Sequence, residues 1–228
     1  MKIHLQRELE SLKKGILSLG AMVEERVRNV IKALESRDAE IAEKIVHSDW
    51  EVDEFEVEIE EECLKILALH QPVAIDLRFI SAVIKINNDL ERIGDEAVNI
   101  AERVAYISKR PPVTVLVNYS LMAENTEAML KDSLDALVNL DADLANKVRL
   151  ADDEVDDIHV ENYDKVKTAI KVQPEQVGYL INFLQISRHL ERIADHATNI
   201  AEEVIYMVEG VIHRHKKNNF QPDISEEN

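Results

Sequence analysis

Hydrophobic residues recur along the N-terminal part of the chain at intervals of three and four. In its first segment the stripe comprises Leu5, Leu9, Leu12, Ile16, Leu19, Val23, Val27, Val30 and Leu34. Such spacing places apolar side chains along one side of an α-helix. A similar stripe follows Asp38, a residue type that favours a helix N-cap. The pattern therefore predicts an amphipathic helix at the start of the chain and a second one after Asp38.

Prolines divide the remaining sequence into further periodic segments. Gln71-Pro72 and Gln173-Pro174 each precede a long apolar stripe, and proline is tolerated at the first position of a helix. Arg110-Pro111-Pro112 interrupts the chain near its middle, and Asp141 is a second predicted N-cap. The pattern predicts six helices, which cover residues 3–36, 38–69, 72–109, 115–140, 142–170 and 174–213.

The two halves of the chain repeat each other. The segment DLERIGDEAVNIAE at 89–102 matches HLERIADHATNIAE at 189–202, with ten of fourteen positions identical. Three helices in the same order in each half indicate a duplication. We therefore expect an all-α protein built from two tandem three-helix bundles related by an internal pseudo-two-fold. The predicted divisions are residues 1–110, residues 113–215 and a polar, disordered tail over 216–228.

Composition narrows the functional classes. The net charge of −18 disfavours nucleic acid and anionic membrane surfaces as direct partners. The sequence has no run of about 18 apolar residues and begins with charged residues, so neither membrane insertion nor a signal peptide is expected. The one cysteine, Cys63, is predicted to be a buried core residue. Together these features predict a cytoplasmic protein.

Acidic residues spaced four apart recur in both halves and could bind metal. Residues at that spacing lie on one face of a helix, and converging oxygens suit hard cations such as magnesium, manganese, calcium or ferric iron. The candidate ligands are Asp49, Asp53, Glu91, Asp95, Asn99 and Glu102 in the first half, and Asp152, Asp156, Glu191, Asp195, Asn199 and Glu202 in the second.

A solvated acidic face is the alternative interpretation. Acidic residues number 45 of 228, so about nine acidic pairs at this spacing are expected by chance. Helical periodicity also turns Glu91, Asp95 and Glu102 away from the apolar stripe, which predicts a water-exposed site. His189 and His196 replace Asp89 and Glu96, and we expect both to be polar surface residues. The residues alone leave the choice between the two interpretations open.

The sequence contains no phosphate-binding glycine loop and no Gly-x-Ser-x-Gly motif. The blocks LERIGDEAVNIAE and LERIADHATNIAE, each in a helix that follows a proline, resemble the doubled signature of the PhoU family. The upstream pairs Asp49/Asp53 and Asp152/Asp156 fit the same family. The resemblance covers roughly residues 5–210 and implies the fold described above.

The resemblance implies a non-catalytic, negative regulator of phosphate uptake and of phosphate-starvation genes. Its implied partners are the ATPase subunit of the phosphate ABC transporter and the phosphate sensor histidine kinase, with a homodimer as a further expectation. It also implies multinuclear metal clusters on the bundle surface, bound through the residues named above, with iron, manganese, magnesium or zinc as the metal. A metal-dependent phosphate-handling enzyme and a metal-free helical scaffold stay open as alternatives.

Overall fold

A computed structural model describes residues 2–110 and 119–211, and within these ranges the chain forms helices and no strands. Outside the described residues lie the predicted boundary at Pro111-Pro112 and the predicted tail at 216–228. No helix in the described part is both long and apolar enough to cross a membrane. The helices are α1 (Lys2–Ser36), α2 (Ala39–His47), α3 (Trp50–His70), α4 (Ile75–Ser108), α5 (Tyr119–Asn139), α6 (Ala142–Val172) and α7 (Val177–Glu209).

The two halves have the same architecture, which confirms the predicted pair of helical bundles. Asp38 caps α2 by accepting hydrogen bonds from two backbone amides, and Asp141 caps α6 in the same way with one. The residues just before these caps, Arg37 and Leu140, both have a positive φ, 55° and 51°. The turn between the first two helical segments is therefore built alike in each half.

The predicted second helix, 38–69, is wrong in one respect, because it is divided into α2 and α3 at Ser48 and Asp49. The Arg26 guanidinium on α1 donates a hydrogen bond to the Ser48 carbonyl at 2.6 Å and another to the Asp49 carboxylate at 3.0 Å. The amides of Glu51 and Val52 bond three residues back, as in a tight turn. In the second half Met129 occupies the position of Arg26, and α6 is continuous.

The core lies between the helices of each half and extends across the contact between halves. Apolar residues that recur at helical spacing along α4, among them Leu90, Ile93 and Ile100, are fully buried, as is Cys63 on α3. Burial raises the pKa of the Cys63 thiol to about 12, so this thiol stays protonated. Helices α4 and α7 pack against each other along their length and join the two halves.

His189 and His196 are not surface residues, contrary to the prediction. Their side chains are only 14% and 13% exposed. Each one faces a carboxylate of the other half, since His189 Nδ1 lies 2.6 Å from Glu96 and His196 Nδ1 lies 2.8 Å from Asp89. Periodicity could not reveal this, because these positions on α7 are buried by the first bundle and not by the core of their own bundle.

Candidate metal centre

Three carboxylates on α3 and α4 form the first acidic cluster. Oxygen atoms of Asp49, Asp53 and Asp95 all lie within 4.8 Å of one another. Asp49 stands at the start of α3 and Asp53 one turn later, while Asp95 reaches them from the neighbouring α4. Asp53 and Asp95 are exposed and Asp49 is half-buried. The cluster therefore lies on the outside of the bundle and is open to water, as the helical periodicity predicted for Asp95.

Arg26 fixes the geometry of this cluster. Its side chain is almost fully buried and bonds both the carboxylate of Asp49 and the preceding carbonyl. The guanidinium thus orients one carboxylate and neutralises part of the negative charge. Sequence reasoning did not find Arg26, which lies 23 residues before Asp49 and has no equivalent arginine in the second half.

Glu91 borders the first acidic cluster, and the carboxylates repel one another. Burial, followed by the charges of Asp49 and Asp53, raises the pKa of Asp95 above its ordinary value. Burial and then the charge of Asp95 raise the pKa of Glu91. Each shift shows that the charged form is disfavoured in the folded protein. A bound cation would relieve this repulsion.

Glu56 is a further acidic neighbour that the sequence analysis missed. It lies on α3 close enough to raise the pKa of Glu91. The buried Asn87 on α4 holds it through hydrogen bonds to its carboxylate at 2.8 Å and its carbonyl at 2.9 Å. The sequence could have indicated Glu56 only by its position, because it lies one helical turn after Asp53 and so shares the same face of the helix.

The second half gathers a corresponding set of carboxylates, which we call the second acidic cluster: Asp152, Asp156, Glu191 and Asp195. Burial and then the charge of Asp195 raise the pKa of Asp152 to about 6. Burial and then the charge of Glu191 raise the pKa of Asp195 to about 6. The electrostatic coupling between α6 and α7 thus repeats that between α3 and α4. Among the described residues, however, only the first cluster brings three ligand atoms within 4.8 Å.

The other predicted ligands lie one or two turns further along α4 and α7. The charge of Glu102 contributes to the raised pKa of Asp49, so Glu102 borders the first cluster. Glu202 instead lies 3.6 Å from the Arg149 guanidinium. Asn199 donates a hydrogen bond to Asp89 of the other half at 3.1 Å, and Asn99 is half-buried on α4. These four residues are thus less closely gathered than the carboxylates of the two clusters.

The donor chemistry of both clusters fits a hard cation. Every clustered donor is a carboxylate oxygen, and the lone cysteine is buried in the core away from them. Oxygen donors favour magnesium, calcium, manganese or ferric iron over ions that prefer sulfur. With three to four protein carboxylates on an open surface, water would complete the coordination shell.

Comparison with known proteins agrees with this architecture. The chain matches the PhoU domain family twice, over residues 16–104 and 119–204. It is 38% identical to a phosphate-specific transport system accessory protein PhoU homolog of Aquifex aeolicus, over 93% of this chain and 96% of the relative. A homolog of the same description from Pseudomonas aeruginosa is 37% identical, over 91% of this chain and 86% of the relative.

Solved structures give the same result. The crystal structure of PhoU from Pseudomonas aeruginosa superposes with a TM-score of 0.87 at 36% identity, covering 90% of this chain and 99% of that one. The phosphate transport system regulatory protein PhoU from Streptococcus pneumoniae gives 0.80 at 31% identity, covering 91% and 98%. The fold and its paired carboxylate clusters are thus those of a duplicated helical-bundle protein. The chain belongs to the PhoU family.

Proposed function

We propose that this protein regulates phosphate uptake and phosphate-starvation signalling through contacts with other proteins. The observation that carries the proposal is its similarity, along nearly its whole length, to proteins named as phosphate transport accessory and regulatory proteins. In this proposal it represses phosphate-starvation genes when phosphate is plentiful. Its partners are the ATPase subunit of the phosphate ABC transporter and the phosphate sensor histidine kinase, both reached from the cytoplasm.

The two acidic clusters are the proposed contact surfaces. Both lie outside the core, at equivalent places on the two halves, and the chain carries a net charge of −18. Complementary charge accelerates association and selects among partners. A basic surface on the partner would therefore bind at these clusters. Metal bound to the clusters would make their charge less negative and so change the attraction to that surface.

Metal binding is the second part of the proposal. Each half binds a hard cation through its own cluster, with iron, manganese or magnesium as the candidate ions. The raised pKa values of Asp95, Asp152 and Asp195 support it, because burial and then the neighbouring carboxylates disfavour their charged forms, and a bound cation would offset both effects. The core stripes lie on other faces of the helices, so we expect an exchangeable metal that is not required for folding.

Metal-dependent hydrolysis of phosphate esters is the alternative function. The observation that favours it is the pKa of about 6 for Asp152 and Asp195, which is closer to neutrality than that of an ordinary carboxyl and suits a general base. Turnover of p-nitrophenyl phosphate by the manganese-loaded protein, abolished in Asp195→Ala, would establish the enzyme. Absence of turnover above the free-metal rate would exclude that activity on this substrate.

Paired charge reversal tests the proposed contact surfaces. Glu91→Lys with Glu191→Lys should weaken capture of the transporter ATPase or the sensor kinase from phosphate-replete cells. The matched control is Glu61→Lys with Asp164→Lys, which makes the same change in net charge at exposed, equivalent positions on α3 and α6. Unchanged capture by the first pair, or equal loss with the control pair, would contradict a specific role for the clusters. Circular dichroism of each variant establishes that it is folded.

A further inference from the structure

An open groove of about 520 Å³ runs beside the second acidic cluster, between α6 and α7. Two carboxylates of the cluster, Glu191 and Asp195, line it from α7. The remaining polar side chains around it can all donate hydrogen bonds, and they are Arg188, Arg192, His159 and Tyr163. The groove therefore combines a cation-binding edge with a wall suited to an anion.

The duplication shows that this wall is particular to the second half. Arg188 corresponds to Asn88, as the alignment of the repeated blocks requires. On α6, His159 corresponds to Glu56 and Tyr163 to Glu60, with the same register that aligns Asp152 with Asp49. Each replacement makes the local charge more positive or less negative. The first half thus has Asn88, Glu56 and Glu60 where the second half has Arg188, His159 and Tyr163, and of the donors in this wall only the arginine at 92 and 192 is common to both.

The donors of this wall retain capacity for a ligand. Arg188 is exposed and forms no hydrogen bond or ion pair with any residue that the structure describes, although its charge acts on the neighbouring Glu191 and His159. Arg192 uses Nη1 on the Glu96 carboxylate at 2.8 Å, which leaves its other N–H groups available. His159 places Nδ1 2.9 Å from the Ser187 hydroxyl, so its Nε2 is the nitrogen not engaged there. The Tyr163 side chain is exposed.

We propose that this groove binds inorganic phosphate together with the cation of the second acidic cluster. Two arginines match the paired oxygens of a phosphate and form charge-assisted hydrogen bonds with it. Glu191 and Asp195 would repel the anion, so phosphate needs the cation between itself and these carboxylates. The inference rests on the proposed metal binding and adds a ligand to it. It makes the two halves unequal, because the first cluster would bind a cation without phosphate.

Equilibrium dialysis with radiolabelled inorganic phosphate tests the proposal, at constant ionic strength and with metal content measured in the same samples. The manganese-loaded protein should bind one phosphate, and the chelated protein should bind it at least about tenfold more weakly. Arg188→Asn, which installs the residue of the first half, should weaken phosphate binding about tenfold or more while leaving the bound metal unchanged. The matched control, Arg92→Asn in the first half, should bind phosphate as the parent does.

The outcomes separate this inference from the metal proposal on which it rests. Manganese-loaded protein that binds no phosphate would overturn the phosphate site and leave the metal sites standing. Equal phosphate binding with and without metal, or equal loss in Arg188→Asn and Arg92→Asn, would overturn it as well. A parent protein that binds no metal would contradict both proposals, and the elemental analysis would show this directly. Asp195→Ala should lose the second metal and the phosphate together.

Discussion

Glu96 on α4 and His189 on α7 lie 2.6 Å apart across the contact between the two halves. The repeated blocks equate position 96 with His196 and position 189 with Asp89, and this second pair also lies in contact, at 2.8 Å. The first half therefore supplies both acids, and the second half both histidines, to two matching contacts about the pseudo-two-fold. If both repeats carried the acids of the first half, each contact would place one carboxylate against another. The histidines of the second half avoid this, and the two acid–histidine pairs favour correct docking of one half on the other.

Loss of Glu96 should destabilise the protein. Its carboxylate is almost fully buried and also forms an ion pair with Arg192 at 2.8 Å, so Glu96→Ala leaves His189 and Arg192 without their shared partner. We expect the free energy of unfolding to fall by about 1–3 kcal/mol. Urea denaturation followed by circular dichroism measures it. Glu124→Ala, at an exposed position on α5, is the control and should change stability by less than about 0.5 kcal/mol.

The equivalent turns at Arg37 and Leu140 should respond in opposite directions to glycine. Both residues have positive φ, a conformation that costs a non-glycine residue about 1–2 kcal/mol. Leu140 is half exposed, so Leu140→Gly should stabilise the protein by about 0.5–1 kcal/mol after the entropic cost of glycine. Arg37→Gly should instead destabilise it. The Arg37 guanidinium donates hydrogen bonds to the carbonyls of Ile107 and Arg110 and to the Tyr179 hydroxyl.

Thermal and urea unfolding of the two glycine variants compare these turns directly. The lost hydrogen bonds of Arg37 join the first turn to the end of α4 and to α7, and so they outweigh the relief of backbone strain. Equal stabilisation by both substitutions would show that the Arg37 contacts contribute little. A destabilised Leu140→Gly would show that the leucine side chain contributes more than the strain costs.

Periodicity and the internal repeat were enough to predict most of the fold. The apolar stripes located the helices within a few residues, and Asp38 and Asp141 proved to be the N-caps that their residue type suggested. The break at Ser48 was not predicted, because it depends on Arg26, a residue on another helix. Such tertiary contacts leave no local pattern in the sequence.

The candidate site was predicted in part for the same reason. Spacing within one helix placed Asp49 near Asp53, and the repeat marked Asp95 as their companion, as the structure finds. Pairing across helices was beyond that reasoning. Reasoning from single helices predicted His189 on the surface, although its side chain is buried against the other half. The same reasoning missed Glu56, because only the packing of α3 on α4 brings this residue beside Glu91.

The acidic clusters should make the metal-free protein less stable at neutral pH than it would be without their charges. Burial and the neighbouring carboxylates raise the pKa of Asp195 to about 6 in the folded protein, whereas an unfolded aspartate has a pKa of about 3.9. Between these values the folded state binds more protons than the unfolded state, so stability falls as the pH rises. Above pH 6 the whole destabilising effect is present.

Asp195→Asn removes this effect and should stabilise the chelated protein at pH 7. The advantage over the parent should shrink as the pH falls through 6 and should vanish near pH 4, as urea denaturation at a series of pH values would show. Asp164→Asn, an exposed position on the neighbouring helix α6, serves as the control and should show little difference. An advantage independent of pH would mean that the charge of Asp195 is not its cause.

The central claim is that each half carries its own metal site, and elemental analysis of single variants tests it most directly. After manganese loading and desalting, Asp95→Ala and Asp195→Ala should each retain about half of the parent's metal, and the double variant almost none. Glu61→Ala and Asp164→Ala, at matched exposed positions, should retain all of it, and chelation should leave the helical signal unchanged. If neither Asp95→Ala nor Asp195→Ala loses metal relative to the parent, the carboxylates are a solvated face and the account is contradicted.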